Sequence, residues 1–234
     1  MISGLQKMTL LDYPGKVACT VFLQGCNFRC PFCHNSGLLG TSADPQITQQ
    51  ELLDFLNTRK GLLDGVCITG GEPTLSIELP SLLRQIKDMG FAVKLDTNGS
   101  RPDLLKSLVA EKLVDYVAMD VKNSPAAYGK TTGLEKPDLA KLEESLRFLL
   151  SGALDYELRT TVVAQLHNRD SITEMGTWLQ SLSGGNKVKR MFLQNFVDRE
   201  SVLQSGLNAP DLADLKEYAH ILCPICEEIG LRGV

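Results

Sequence analysis

The sequence is short of the features that mark membrane, secreted or nucleic-acid-binding chains. No apolar run in its 234 residues nears the ~18 that a membrane-spanning helix needs, so no membrane partner is expected. The opening stretch, MISGLQKMTLLDYPGK, has no apolar core followed by a small-residue cleavage site, and a cytoplasmic location is expected. Lys and Arg total 24 against 28 Asp and Glu, a net charge of −4 with no basic run. That balance gives no pull towards nucleic acid. Aromatic residues are 6% of the chain. The seven cysteines are an odd number, a poor disulfide framework without an export signal. They point instead to metal or redox chemistry in a reducing compartment. Against these absences stands an ordinary folding capacity, 43% hydrophobic and 22% charged. A chain of this size buries roughly 70–75% of its extended surface and needs no metal or disulfide to form a core.

Six runs rich in Val, Ile, Phe and Tyr read as strands: Val17–Leu23, Gly65–Thr69, Phe91–Thr97, Tyr116–Val121, Tyr156–Val163 and Val188–Gln194. Amphipathic patterns lie between them. Thr48-Gln49-Gln50-Glu51 is a capping-box signature ahead of Leu52, Leu53 and Leu56. Ile77–Met89 stops at Gly90, and Arg101–Leu113 carries Pro102 near its first turn. The stripe Leu139, Leu142, Leu146, Leu149 ends near Gly152, and Ser171–Leu182 and Asp211–Cys226 complete six helices. Six βα units predict an α/β fold with a parallel sheet and right-handed crossovers. A doubly wound sheet and an incomplete barrel both satisfy this pattern, and in either the chemistry gathers at the C-terminal strand ends. No repeat, low-complexity tract or linker divides the chain. One domain over 1–234 is expected, its core over 17–196 and a C-terminal helix and tail over 211–234.

Just after the first of these strands comes Gly25-Cys26-Asn27-Phe28-Arg29-Cys30-Pro31-Phe32-Cys33-His34-Asn35. Cysteines spaced C-x3-C-x2-C can hold three corners of a 4Fe–4S cubane and leave the fourth iron open to a substrate. Cys30-Pro31-Phe32-Cys33-His34 is also formally the c-type haem attachment pattern, but that attachment occurs outside the cytoplasm. A structural zinc site of Cys26, Cys30, Cys33 and His34 is a further alternative. Zinc sites favour separated ligand pairs, whereas Cys33 and His34 are adjacent.

C-x3-C-x-aromatic-C followed by His-Asn, with Phe32 as the aromatic, resembles the radical S-adenosylmethionine (SAM) enzymes. The resemblance runs from Cys19 to Gln194. Thr69-Gly70-Gly71-Glu72-Pro73 follows the second strand, Asp96-Thr97-Asn98-Gly99 ends the third, and Asp120-Val121-Lys122 ends the fourth. With Arg159 in the fifth strand, these are similar to the glycyl-radical-enzyme activases in particular. The segments Leu11-Asp12-Tyr13-Pro14-Gly15-Lys16 and Phe22-Leu23-Gln24-Gly25-Cys26 add to the likeness.

This resemblance implies a partial (βα)6 TIM-like barrel of the radical SAM type. It implies a 4Fe–4S cluster on Cys26, Cys30 and Cys33 that reductively cleaves SAM to methionine and a 5′-deoxyadenosyl radical. Gly70, Gly71 and Glu72 would then meet the SAM ammonium, and Lys122 and Arg159 its carboxylate. Phe32, with the backbone of His34 and Asn35, would hold the adenine. Asp96 and Asp120, with backbone oxygens near Thr97 and Ala118, would bind a monovalent cation. The alternative is that Asp96 binds ribose or caps a turn and Asp120 pairs with Lys122. The implied partner is a large glycyl-radical enzyme, anaerobic ribonucleotide reductase first, with flavodoxin or ferredoxin as electron donor. Some activases carry a histidine where this chain has Gln194-Asn195-Phe196, a departure at the last ribose or adenine contact.

Other motifs are set aside. Gly129-Lys130-Thr131 is no phosphate loop, because position 124 is Ser where G-x4-G-K-T needs glycine. Cys223-Pro224-Ile225-Cys226 reads as a redox pair, two ligands of another metal, or an accident of a helix end. Cys19 and Cys67 lie in strands as core residues, and His167 and His220, with no evident partner, read as surface or satisfied core residues. Two other functions stay open. One is radical SAM chemistry on a small molecule or ribosomal peptide, as in the 7-carboxy-7-deazaguanine synthases. The other is a non-catalytic iron–sulfur or zinc protein.

Overall fold

The computed structural model describes residues 1–40 and 47–234. Eight strands hydrogen-bond in chain order: β1 (Ile2–Thr9), β2 (Ala18–Leu23), β3 (Gly65–Gly70), β4 (Ala92–Thr97), β5 (Tyr116–Asp120), β6 (Asp155–Val162), β7 (Val188–Asn195) and β8 (Cys226–Arg232). Between them run α1 (Gln49–Asn57), α2 (Leu79–Asp88), α3 (Pro102–Ala110), α4 (Tyr128–Thr132), α5 (Leu139–Leu150), α6 (Arg169–Leu182) and α7 (Leu212–Leu222). The six expected strands are present, each end within one residue of its expected place. Parallel ladders join β2 to β3, β3 to β4, β6 to β7 and β7 to β8.

The edges correct the expectation of an all-parallel, six-stranded sheet. β1 pairs antiparallel with β2, because the connection 10–17 is shorter than the dozen or so residues of a parallel crossover. At the other edge, the helix expected to reach Cys226 ends at Leu222. Pro224 has no N–H for a helix interior, and the chain makes one 3₁₀ turn before starting β8. β8 contains Glu227, Glu228 and Gly230, a composition with little strand propensity. Gly230 lies against Phe192, where a Cβ would come within 2.7 Å of the ring.

The chain packs as two compact units. The first comprises Met1–Asn27, Gly37–Thr97 and Asp103–Ala118. Here β2 and β3 are buried on both faces, which is why they read as nearly continuous apolar runs. Leu52 and Leu56 of α1 and Leu79, Leu82, Leu83 and Ile86 of α2 are buried as well, each contributing ~1.5–3 kcal/mol of apolar burial. The expected capping box starts α1: Thr48 accepts from the Glu51 N–H, and Glu51 accepts from the Thr48 N–H. Two aspartates secure strand starts. Asp64 accepts from the Val17 N–H at 2.9 Å and Asp115 from the Val93 N–H at 2.7 Å.

The second unit comprises Phe28–Ser36, Asn98–Pro102 and Met119–Val234. Its helices bury Leu142, Leu146 and Leu149 on α5 and Ile172, Met175 and Leu179 on α6. Glu157 on β6 is 1% exposed. It accepts from both terminal nitrogens of Arg232 at 3.0 and 2.8 Å, while that guanidinium lies 3.6 Å from the Phe192 ring centre. Among the described residues, no helix is long and apolar enough to cross a membrane.

Candidate functional site

In the first unit, β2 leads through Gln24 and Gly25 to Cys26, and β3 through Gly70 and Gly71 to Glu72. The Gly71 N–H donates to the Leu23 carbonyl at 2.9 Å and the Glu72 N–H to the Gly25 carbonyl at 2.7 Å. The two strand ends are so close that side chains do not fit. A Cβ on Gly71 would lie 2.1 Å from the Gly25 oxygen and 3.2 Å from the Cys26 Cβ. One on Gly70, whose φ is +132°, would lie 2.1 Å from the Leu23 oxygen. The glycine pair is therefore a steric requirement of the Cys26 approach.

Glu72 is 1% exposed. Its Oε1 accepts from the Thr74 N–H at 3.1 Å, from the Thr74 hydroxyl, and from the Thr97 hydroxyl at 2.7 Å. Three donors on one oxygen fix the buried carboxylate in place and satisfy its charge in part. β4 delivers Thr97 to this bond, and one residue earlier Asp96 pairs with the Lys94 ammonium.

In the second unit the cysteine loop is tied down along its length. The Arg29 N–H donates to the Thr132 carbonyl at 2.8 Å, and the Cys33 N–H closes a turn on the Cys30 carbonyl at 3.0 Å. The Gln204 N–H donates to the Pro31 carbonyl at 2.9 Å, and Ser36 Oγ to the Ser201 carbonyl at 2.6 Å. Cys30 and Phe32 are buried; Cys26 and Cys33 are partly exposed. His34 stacks on Phe196 with ring centres 5.5 Å apart and donates from Nε2 to the Val197 carbonyl at 2.6 Å.

Asp120, Lys122 and Arg159 form a charged group in this same unit. Asp120 accepts from Lys122 Nζ at 2.8 Å and from Arg159 Nε at 3.0 Å. Burial alone would raise the Asp120 carboxyl, but the two cations outweigh it and hold it below the usual carboxylate range. Burial likewise disfavours the Lys122 ammonium, yet Asp120 and the nearby Cys30 sulfur keep it charged to above the ordinary lysine range. Lys122 Nζ also lies 5.8 Å from the centre of the Phe32 ring. This group supports the alternative in which Asp120 pairs with Lys122, and it adds Arg159 to that pair.

The residues fit an iron–sulfur cluster and a zwitterionic, adenine-bearing ligand by the chemistry of their donors. None of the three loop cysteines is in a disulfide. Among the described residues, no three His, Cys, Asp or Glu side chains, the three loop cysteines included, stand together as a metal-holding group, so the fit rests on donor type alone. The buried oxygens Oε1 of Gln24, beside the cysteine loop, and Oδ1 of Asn195, next to Phe196, have no partner in the protein. An acceptor left bare in this way is costly unless a ligand or water meets it.

Other residues resolve differently. Cys19 and Cys67 are fully buried, and burial pushes the Cys19 thiol up to about 12. His167 is a satisfied core residue, donating from Nε2 to the Lys122 carbonyl at 2.8 Å and accepting at Nδ1 from the Val163 N–H at 3.1 Å. The rejected phosphate loop is a clamp. Thr132 holds Arg29, and Gly133 at φ +68° would bring a Cβ within 2.4 Å of the Arg29 oxygen. Sequence reasoning missed this clamp, Thr74 and Lys94. For Lys94 there was a signal, a lysine inside the apolar run Phe91–Thr97 and two residues before an aspartate.

A family model described as the Radical SAM superfamily matches residues 20–171. A Methanocaldococcus jannaschii protein, named as a candidate glycyl-radical enzyme activating enzyme, is 40% identical over 126 residues, 52% of this chain and 50% of that protein. The pyruvate formate-lyase-activating enzyme of Clostridium pasteurianum is 33% identical over 127 residues, 52% of each chain. The chain thus spans about half the length of these curated relatives. Among solved structures, a domain of pyruvate-formate lyase-activating enzyme from Bacteroides vulgatus superposes with a TM-score of 0.59 at 17% identity. That match covers 72% of this chain and 99% of the other, a likeness of fold.

Proposed function

The chain belongs to the radical SAM superfamily, and from that premise we propose that it is an activase that installs a glycyl radical on a large partner enzyme. The observation that carries the reading is the Gly70-Gly71-Glu72 turn. It combines a glycine-only approach to Cys26 with a buried carboxylate whose orientation three donors fix. The names of the two curated relatives support the activase type within the superfamily.

When bound, a 4Fe–4S cluster and S-adenosylmethionine supply one-electron cleavage of a sulfonium carbon–sulfur bond, and with it the power to abstract a hydrogen atom. Cys26, Cys30 and Cys33 would hold the iron as thiolates, and Lys122 would offset part of that negative charge beside Cys30. Glu72 would accept from the ammonium of the bound amino acid. Arg159 and Lys122 would face its carboxylate, with Asp120 holding both cations in position. Phe32 and the backbone of His34 and Asn35 would hold the adenine, backed by the stacked Phe196. The partner would present its glycine on a loop. Anaerobic ribonucleotide reductase is the first partner to test, and a cytoplasmic flavodoxin or ferredoxin the electron source.

The test incubates anaerobically reconstituted protein with reductant, S-adenosylmethionine and the purified reductase. A glycyl doublet in the electron paramagnetic resonance spectrum is the expected result. A silent spectrum from cluster-loaded protein that does cleave S-adenosylmethionine would remove this partner. Loaded protein with no cleavage at all would remove the activase reading.

A further inference from the structure

Lys94 is 1% exposed in the middle of β4. Its Cα partner across the parallel ladder is Cys67, whose Sγ lies 3.9 Å from the Lys94 ammonium. Strand residues two apart share a face, so Lys94 and Asp96 point the same way, and the ammonium forms an ion pair with the Asp96 carboxylate. Burying an ammonium is unfavourable unless an opposite charge meets it, and a lysine within an otherwise apolar run has no packing advantage over Leu or Val. Its presence therefore needs a reason at Asp96.

The resemblance leads one to expect a monovalent cation at Asp96 and Asp120. The residues do not fit that expectation, because each aspartate already has a cation of the protein's own. Asp96 has Lys94, while Asp120 has Lys122 at 2.8 Å and Arg159 at 3.0 Å. We propose that the Lys94 ammonium is a built-in counter-cation that positions Asp96, and that this site takes no sodium or potassium ion. Only the part of the test that uses S-adenosylmethionine rests on the proposed function.

The test compares sodium, potassium and tetramethylammonium chloride at equal ionic strength. The melting temperature of the wild-type protein should agree among the three within about 1 °C, because an ion that does not bind the folded state cannot stabilise it. Lys94→Met keeps the apolar stem and removes the charge. That variant should melt lower in tetramethylammonium and regain about 5 °C in potassium or sodium, as a small ion fills the vacated place. A merely structural lysine would not produce that ion selectivity. Lys94→Arg keeps a charge and should be indifferent to the ion, as the wild type is. Wild-type protein that melts selectively higher in sodium or potassium overturns the proposal, as does a folded Lys94→Met indifferent to the ion. If Lys94→Met does not fold, the wild-type and Lys94→Arg series decide. In parallel, equilibrium dialysis of S-adenosylmethionine against the cluster-loaded wild type should give one affinity in all three salts. At least about fivefold tighter binding in sodium or potassium overturns the proposal. No binding in any salt counts against the proposed function, and the melting series still judges Lys94.

Discussion

Replacing Gly71 with alanine tests the steric argument at the proposed site. The added Cβ would sit 2.1 Å from the Gly25 oxygen and 2.6 Å from the Gly25 carbonyl carbon, both backbone atoms that no rotamer change can move. Restoring ordinary contact needs a shift of roughly 1 Å between the ends of β2 and β3. Overpacking of this kind costs ~1–3 kcal/mol. The same shift strains the two hydrogen bonds at 2.9 and 2.7 Å that join these segments, adding ~0.5–1.5 kcal/mol each. The total of about 2–6 kcal/mol corresponds to a fall in melting temperature of roughly 4–24 °C for a chain of this size. Cys26, whose Cβ would be 3.2 Å from the new atom, moves with the loop, so iron retained after anaerobic reconstitution should fall too. Gly37→Ala is the control. Gly37 is exposed and its added Cβ meets nothing within 4 Å, so a change within about 0.5 kcal/mol is expected. Thermal unfolding and iron content of both variants check this. Equal melting temperatures for the two would refute the close-approach argument.

Three other outcomes follow from the second unit. Burial disfavours the His167 imidazolium, and although its bonds to Lys122 and Val163 oppose this, its pKa lies below the ordinary histidine value. The unfolded chain therefore takes up the proton first, so stability is full above the ordinary histidine range and declines as pH falls through it. Urea unfolding at about pH 7.5 and about pH 5.5 should show this loss in the wild type and a flatter profile in His167→Gln; identical profiles would sink the assignment. Arg232→Met would leave the Glu157 carboxylate buried without its bidentate partner, at a cost of about 3 kcal/mol in urea unfolding; a loss below about 1 kcal/mol would contradict it. Cys223 is exposed, whereas Cys226 is 5% exposed with its thiol pushed up to about 12 by burial and by Cys223. Peptide mapping after brief iodoacetamide treatment should find Cys223 modified more than tenfold faster, since alkylation follows the exposed thiolate (a rough ratio); equal rates would refute the burial.

Much of this protein is legible locally. Strand positions followed from runs of β-branched and aromatic residues, because strands buried on both faces leave a continuous apolar signature. The α1 start followed from Thr48 and Glu51, which satisfy each other's neighbours over three residues and need nothing distant. The cysteine spacing was equally plain, whereas the Gly-Gly-Glu turn was singled out only by the family resemblance. β1 and β8 were not, since an edge strand is specified by the neighbour it pairs with more than by its own composition, and ISGLQKMT and CEEIGLR have weak propensity of their own.

By itself, then, the sequence determined the order of βα units, the loop bearing three thiols and the residue types at the strand ends, because periodicity and spacing are local properties of the chain. Only the tertiary structure decided how charge is distributed among those residues. Asp120 meets Lys122 two positions on but also Arg159 from another strand, and Lys94 turns out to face Asp96 from inside a buried run. Thr132 and Gly133, far along the chain, hold the loop at Arg29. Such pairings depend on which strand faces bring distant side chains together, and on the low dielectric that makes a buried charge take whatever partner it meets.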